Sequence, residues 1–278
     1  MEMTGAAPSD METNMRDHPH CRLTLIGTAT TILEIGSLRL LTDPAFDPPG
    51  GRYSFGWGTG SVKLTGPAIP VESLGRIDAV LLSHDHHADN LDRLGRAFLP
   101  KAGRVLTTVP GANRLRGNAF GLHPWETTAL LAPDGFHISV TATPARHGPL
   151  GSRPLVGEVI GFILQWEGQR HGGLYISGDT VWFRGVAEIR RRFQIGTALL
   201  HMGGVGFPIS GSIRYTFNGV EAARAAQALD AGRVIPIHYE GWSHFREPRG
   251  KIERAFALAG LSDRLHWLPM GVPTLVEM

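Results

Sequence analysis

The chain has 278 residues, 42% of them hydrophobic and 19% charged, a formal net charge of +2 and a single cysteine, Cys21. Such a length and hydrophobic fraction allow a substantial core, and the composition points to a soluble, enzyme-sized domain. One cysteine excludes an intramolecular disulfide and a cysteine-rich zinc site. No run approaches the roughly 18 apolar residues of a membrane span. The first twenty residues carry acids and lack the apolar stretch of a signal peptide, so 1–20 reads as a disordered tail, 21–278 as one domain, and the location as cytoplasmic.

In chain order, RLTLIG (22–27), TTILEI (30–35) and LRLLTD (38–43) predict three short strands in a meander. The stretch 44–70 is rich in glycine and proline, which argue against regular structure, yet it holds Tyr53, Phe55 and Trp57. It reads as a loop folded over a pocket. IDAVLLS (77–83) predicts a buried strand, LDRLGRAF a short helix, RVLTTV (104–109) a strand, and PGANRLRG a helix with Pro110 in its first turn. FHISVTAT (136–143) follows as a strand, then 159–168 and 172–180 as a hairpin pair. In RGVAEIRRRF, Val186, Ile189 and Phe193 share one helical stripe, so Arg190, Arg191 and Arg192 form a solvated face rather than a nucleic-acid patch. TALLHMGG (197–204) is a buried strand. Asn218 and Glu221 form a capping box for a helix over 218–232 that Gly232 ends. A strand at 233–241, a helix at 249–260 and a strand at 264–271 close a layered α/β chain.

The most telling segment is SHDHHADNLD (83–92), three histidines and three acids directly after the apolar run AVLL. A buried strand ending in such a cluster puts metal-binding side chains on one rigid edge, and in extended chain His84 and His86 point to the same side. His147 after VTATPAR, Asp179 after LYISG and His238 after VIPI repeat the pattern of one ligand-type residue at a strand end. Each has a plainer alternative. Asp89 could cap the following helix, Asp179 could form a turn, His238 could be a core histidine, and His147 could bridge backbone carbonyls.

In this order the motifs resemble the metallo-β-lactamase superfamily, and within it the lactonases and phosphodiesterases similar to ascorbate-6-phosphate lactonase and N-acylethanolamine phospholipase D. The resemblance runs from Arg22 to the C-terminus through GTATTILEIGSLRLLTDP (27–44), PWET (124–127), TPARH (143–147), YISGDT (175–180) and IPIHYE (235–240). It implies a four-layer αββα sandwich with metals at one edge between the sheets. The family pattern His-x-His-x-Asp-His is altered here, because His87 and Ala88 precede Asp89 and Asn90 stands where the last histidine would be.

Carried over, His84, His86 and His147 hold a first metal, Asp179 bridges, and Asp89 and His238 hold a second. His87 is the alternative, replacing His86 or filling the place of Asn90. The resemblance implies one or two divalent transition metals, zinc first, then manganese or iron. It implies a metal-bound hydroxide attacking a lactone or a phosphodiester, with Asp89, Asp179 and His238 catalytic and a small molecule as the partner. The competing readings are a nuclease or RNA-processing enzyme on the same fold, and a catalytically silent metal-binding scaffold. The loops at 44–70 and 202–217 are expected at the mouth, with Arg52, Arg146 or Arg214 gripping an anionic group. His201, Trp242 and His244 are further pocket candidates, and Asp85 and Asp43 are candidates to orient ligands.

Overall fold

β13 (Ile195–His201) is buried along its whole length, and its side chains alternate between two cores. Leu199 packs into the core between two sheets, while Ala198 and Leu200 pack into a core under helices. A strand buried on both faces belongs in the middle of a layered α/β structure, and the computed structural model, which describes residues 21–56 and 58–278, has that form. The tail expected over 1–20 lies outside the described residues.

The first sheet holds seven strands. β1 (Cys21–Gly27), β2 (Thr30–Ile35) and β3 (Leu38–Thr42) form the expected antiparallel meander. β6 (Ala79–Leu81), β7 (Arg104–Thr108) and β8 (Ala119–Leu122) extend it in parallel from β3, and β15 (Thr274–Val276) pairs with the free edge of β1. The second sheet runs β14-β13-β12-β11-β10-β9, with β9 (Thr127–Leu131), β10 (His137–Pro144) and β11 (Ile160–Gln165) antiparallel. β12 (Gly173–Ile176), which pairs antiparallel with β11, β13 and β14 (Arg233–Ile237) then run parallel to one another.

Leu23, Leu33, Leu40, Val140, Phe162 and Leu199 fill the space between the sheets. On the outer face of the second sheet, Val186 and Ile189 of α4 (Arg184–Arg192) pack with alanines of α5 (Gly219–Leu229) and with Ile252 and Phe256 of α6 (Arg249–Leu258). On the outer face of the first, Phe98 of α1 (Arg93–Phe98) packs with Leu41, Val80 and Val105, and α2 (Val109–Leu115) lies against β7 and β8. The result is the αββα order of layers. Among the described residues no helix is long and apolar enough to cross a membrane.

Three expectations need correction. The stretch 44–70 is not free of regular structure: β4 (Arg52–Gly56) and β5 (Thr59–Val62) form an antiparallel ribbon of their own. Its glycines sit at the turn and the strand ends, where positive φ at Gly56 and Gly58 allows the reversal. The last strand is Thr274–Val276 and not 264–271, which contributes only the bridge of Leu265 to Val234. The helix capped by Asn218 and Glu221 ends not at Gly232 but at Asp230, which takes the left-handed conformation at φ 52°.

One buried ion pair ties the ribbon to the start of α1. Lys63 Nζ lies 2.8 Å from Asp92 Oδ2, with the two side chains 2% and 0% exposed. Lys63 also donates to the Ala45 carbonyl, and Asp92 accepts from Gly95 N as the cap of α1. The cap of α1 is therefore Asp92, which leaves Asp89 free for other work. Lys63→Met should lower stability by about 3–5 kcal/mol, because it strands a buried carboxylate. A urea unfolding midpoint close to that of the wild type would show that the pair contributes little.

Candidate metal centre

The strand ends at one edge of the two sheets deliver the predicted polar residues into one space. β6 leads to His84, His87 and Asp89; β10 leads to His147; β12 leads to Asp179; β14 leads to His238. All six are buried or nearly so. Two donor groups result. His84, His87 and His147 form one, and Asp89, Asp179 and His238 form the other, each with ligand atoms within 4.8 Å of one another.

In the first group, His87 Nδ1 lies 3.1 Å from His84 Nε2 and 3.0 Å from His147 Nε2. The outer nitrogens are held. His147 Nδ1 donates to the Tyr215 carbonyl at 2.7 Å, so its Nε2 presents a lone pair to the group. His84 Nδ1 meets Ser83 Oγ at 2.9 Å. Burial, and then the neighbouring imidazoles, hold His84 and His87 well below the ordinary histidine range. Burial likewise pushes His147 down to about 4. The rings are therefore neutral, and neutral nitrogens packed this closely suit a cation among them.

The second group has more unmet demand. Neither ring nitrogen of His238 has a hydrogen-bond partner, nor do Asp89 Oδ1 and Asp179 Oδ1, although all are buried. His238 Nε2 is 3.2 Å from Asp89 Oδ2 and its Nδ1 is 3.6 Å from Asp179 Oδ1. Asp179 also faces the first group, its Oδ2 lying 4.0 Å from His84 Nε2. Burial, then the carboxylates of Asp89 and Asp43, raise Asp179 well above the usual carboxylate range. Burial alone would raise Asp89 as well, but His238 and His244 hold it well below. Orphaned buried oxygens and nitrogens are rare and costly, about 1–3 kcal/mol each. Imidazoles with carboxylates form a donor set suited to a divalent transition metal, so the residues fit such an ion.

His86 is the residue carried over from the family pattern that the structure does not bring to either group. Its Nε2 bonds to the Val156 carbonyl, and its ring fills the space beside Gly157, where an added Cβ would fall 2.3 Å from the ring. Registering the family pattern on Asp89 instead of His84 puts His87 at its second histidine, and the sequence alone does not choose between the two registers. Asp85 does not orient a histidine of either group. It pairs with Arg114 of α2, whose guanidinium holds the carboxyl well below its usual range in spite of burial.

Asp43 accepts from Ser83 N at 2.7 Å and faces His201 Nε2 at 3.2 Å, bracing the strand end beneath the site. Asn90 contacts Ser83 Oγ at 3.5 Å. His244, a pocket candidate from sequence, instead contacts Asp89 Oδ2 at 3.0 Å. None of the three arginines expected to grip an anion lines the cavity over His87, Asp89 and His147, but Arg146 lines an adjoining space of about 670 Å³ that also reaches His147. Arg146 donates to the Trp182 carbonyl and lies over Phe183, and Arg214 pairs with Glu221.

Residues 38–239 match the model of the beta-lactamase superfamily domain. A UPF0173 metal-dependent hydrolase of Methanoregula boonei is 32% identical over 192 residues, covering 66% of this chain and 78% of its own. One from Pyrobaculum aerophilum is 28% identical over 228 residues, covering 77% and 81%. Among solved structures, isothiocyanate hydrolase from Delia radicum gut bacteria superposes with a TM-score of 0.77 at 22% identity, over 92% of this chain and 99% of that one. A metallo hydrolase from Ignicoccus hospitalis gives 0.70 at 19% identity, over 93% and 99%. These two likenesses concern the fold. Family model, relatives and donor groups agree that this chain is a metal-dependent hydrolase of the metallo-β-lactamase superfamily.

Proposed function

We propose that the protein hydrolyses a lactone or a similarly neutral ester, with two divalent ions held between the sheets. His84, His87 and His147 would hold one ion, Asp89 and His238 the other, and Asp179 would reach both. Zinc is the first candidate, with manganese or iron as alternatives. When bound, the ions would supply a water of lowered pKa as nucleophile and polarise the carbonyl under attack. Asp89, Asp179 and His238 would be the catalytic residues in this reading, as the donors that would hold the second ion, with Asp89 also lining the cavity.

The observation that favours a neutral substrate is the cavity itself. A space of about 180 Å³ opens onto His87, Asp89 and His147, and its walls are Phe55, Leu155, Val156, Phe207 and Ile213, with Tyr215 beside them. No lysine or arginine is among its described lining residues. An apolar wall solvates an anion poorly, so a charged substituent seated against it would lose hydration without gaining a side-chain partner there. A cavity of about 150 Å³ with similar walls holds benzene, so this one accommodates a substituent of phenyl size. Its walls would exclude water from the reacting carbonyl and fix the acyl group beside the metals.

Two measurements test this reading. Protein purified without chelators should carry two divalent ions per chain by elemental analysis. His87→Ala should lose at least one of them, and His86→Ala should retain both. The reverse pattern would restore His86 as the ligand. In a substrate panel, a lactone bearing a phenyl or propyl group should show kcat/KM at least about tenfold above the same lactone bearing a carboxylate. A preference for the anionic lactone, or for a phosphodiester, would overturn the neutral-substrate reading.

A further inference from the structure

We propose that His244 is a positioning residue that fixes Asp89 for the second ion, at the end of a hydrogen-bond relay from β5. The proposal rests on the two-metal reading above. It addresses a deficit in this chain: Asn90 stands where the family pattern supplies an imidazole, so Asp89 carries more of the second site.

The relay has a direction. Val62 N donates to Ser243 Oγ at 3.0 Å. Ser243 can then give its own proton to Ser61 Oγ, 3.1 Å away. Ser61 in turn donates to His244 Nδ1 at 2.5 Å. That leaves the ring proton on Nε2, which donates to Asp89 Oδ2 at 3.0 Å. Run in the opposite sense, the ring would face the carboxylate with a lone pair, and two acceptors would meet. The polarity is therefore set by the Asp89 carboxylate, which can only accept, and it satisfies every member.

The rest of the geometry suits a positioning role. Asp89 Oδ2 is occupied by the relay, while Asp89 Oδ1 has no hydrogen-bond partner and is left for an ion. The His244 ring is 4% exposed and stacks on Phe207 at 5.2 Å with an interplanar angle of 6°. Phe55 packs against it at 4.9 Å. A ring so held cannot swing away, and a carboxylate fixed through one oxygen presents the other at a set angle. Because Phe55 lies in β4 and Ser61 in β5, the ribbon that walls the cavity also anchors the relay.

Stepwise binding of zinc and cobalt(II) to the stripped full-length protein, followed by calorimetry and by the cobalt absorption bands, reads this directly. The wild type should bind in two steps. His244→Ala should weaken the second step by about 10–100-fold and leave the first unchanged. His244→Gln, whose amide can still donate to Asp89, should recover most of that loss. Ser61→Ala, a smaller change that keeps the ring, should weaken the second step in the same direction and keeps the test open if His244→Ala does not fold. If His244→Ala leaves both steps as in the wild type, the relay is overturned. If His244→Gln binds no better than His244→Ala, the ring is itself a ligand and the positioning role is wrong. A wild type with a single step removes the two-metal reading and this proposal with it, whereas two wild-type steps indifferent to His244 and Ser61 remove the relay alone.

Discussion

The constraint on which this molecule turns is the burial of polar groups that the protein itself does not satisfy. Three neutral imidazoles crowd within about one hydrogen-bond length of a shared nitrogen, and four atoms of Asp89, Asp179 and His238 have no partner. Each such group is destabilising in a closed core, by about 1–3 kcal/mol. Their concentration at one edge, between cores that are otherwise well packed, marks them as donors awaiting a cation and not as errors of packing. A divalent ion reverses the local logic. It would turn the repulsion between Asp179 and its carboxylate neighbours into shared attraction, and would give the imidazole lone pairs something to face.

Such a site has to be built from outside, because its own members repel or ignore one another. The fold does this with strands whose far ends are locked in hydrophobic layers and whose near ends are bent to fit. His238 follows β14 with φ 55°, and Thr28, whose carbonyl accepts from His238 N at 2.7 Å, has φ 54°. Asp43 follows β3 at φ 30° and receives Ser83 N, the residue just before His84. Left-handed conformations at residues other than glycine cost about 1–3 kcal/mol and persist where the surroundings over-determine them. Thr28, Asp43 and His238 lie at the strand ends that aim or brace ligand-type side chains, so the cores supply the stability that the site consumes.

Much of this was legible in the sequence because each strand announces itself as an apolar run and each run ends in one chemically distinctive residue. His147, Asp179 and His238 stood out by that signal, and the family resemblance gave them their places. The cluster at 84–89 could not be placed in this way, since with histidines at 84, 86 and 87 the two-residue spacing fits His84 with His86 as well as it fits His87 with Asp89. Only the burial of His87 beside His147, and the diversion of His86 to the Val156 carbonyl, separates them. The β4–β5 ribbon escaped notice for a different reason. Two strands of five and four residues, exposed or half-buried everywhere except at Ser61, present too little hydrophobic pattern to outweigh the glycines around them. The strands at Ala119–Leu122 and Thr127–Leu131 were missed likewise, being short strands at the sheet edges with exposed side chains.

That ribbon links the parts of the molecule that deal with substrate and with metal. Lys63, just after β5, is paired to Asp92, three residues beyond Asp89. Tyr53 of β4 donates to Asp47, which accepts from Leu94 N in the first turn of α1. Trp242, beside His244, takes Tyr53 edge-on at 4.9 Å and lies 5.7 Å from the Lys63 ammonium. The segment that walls the cavity is thus pinned on one side to the helix following the histidine cluster and on the other to the loop following His238. Apolar walls and metal-directed donors share one rigid frame, and a neutral acyl group seated against Phe55 and Phe207 would meet the metal centre at a distance fixed by the fold. On the proposed reading, positioning of that kind would supply the selectivity, since no lysine or arginine is among the described residues lining that cavity.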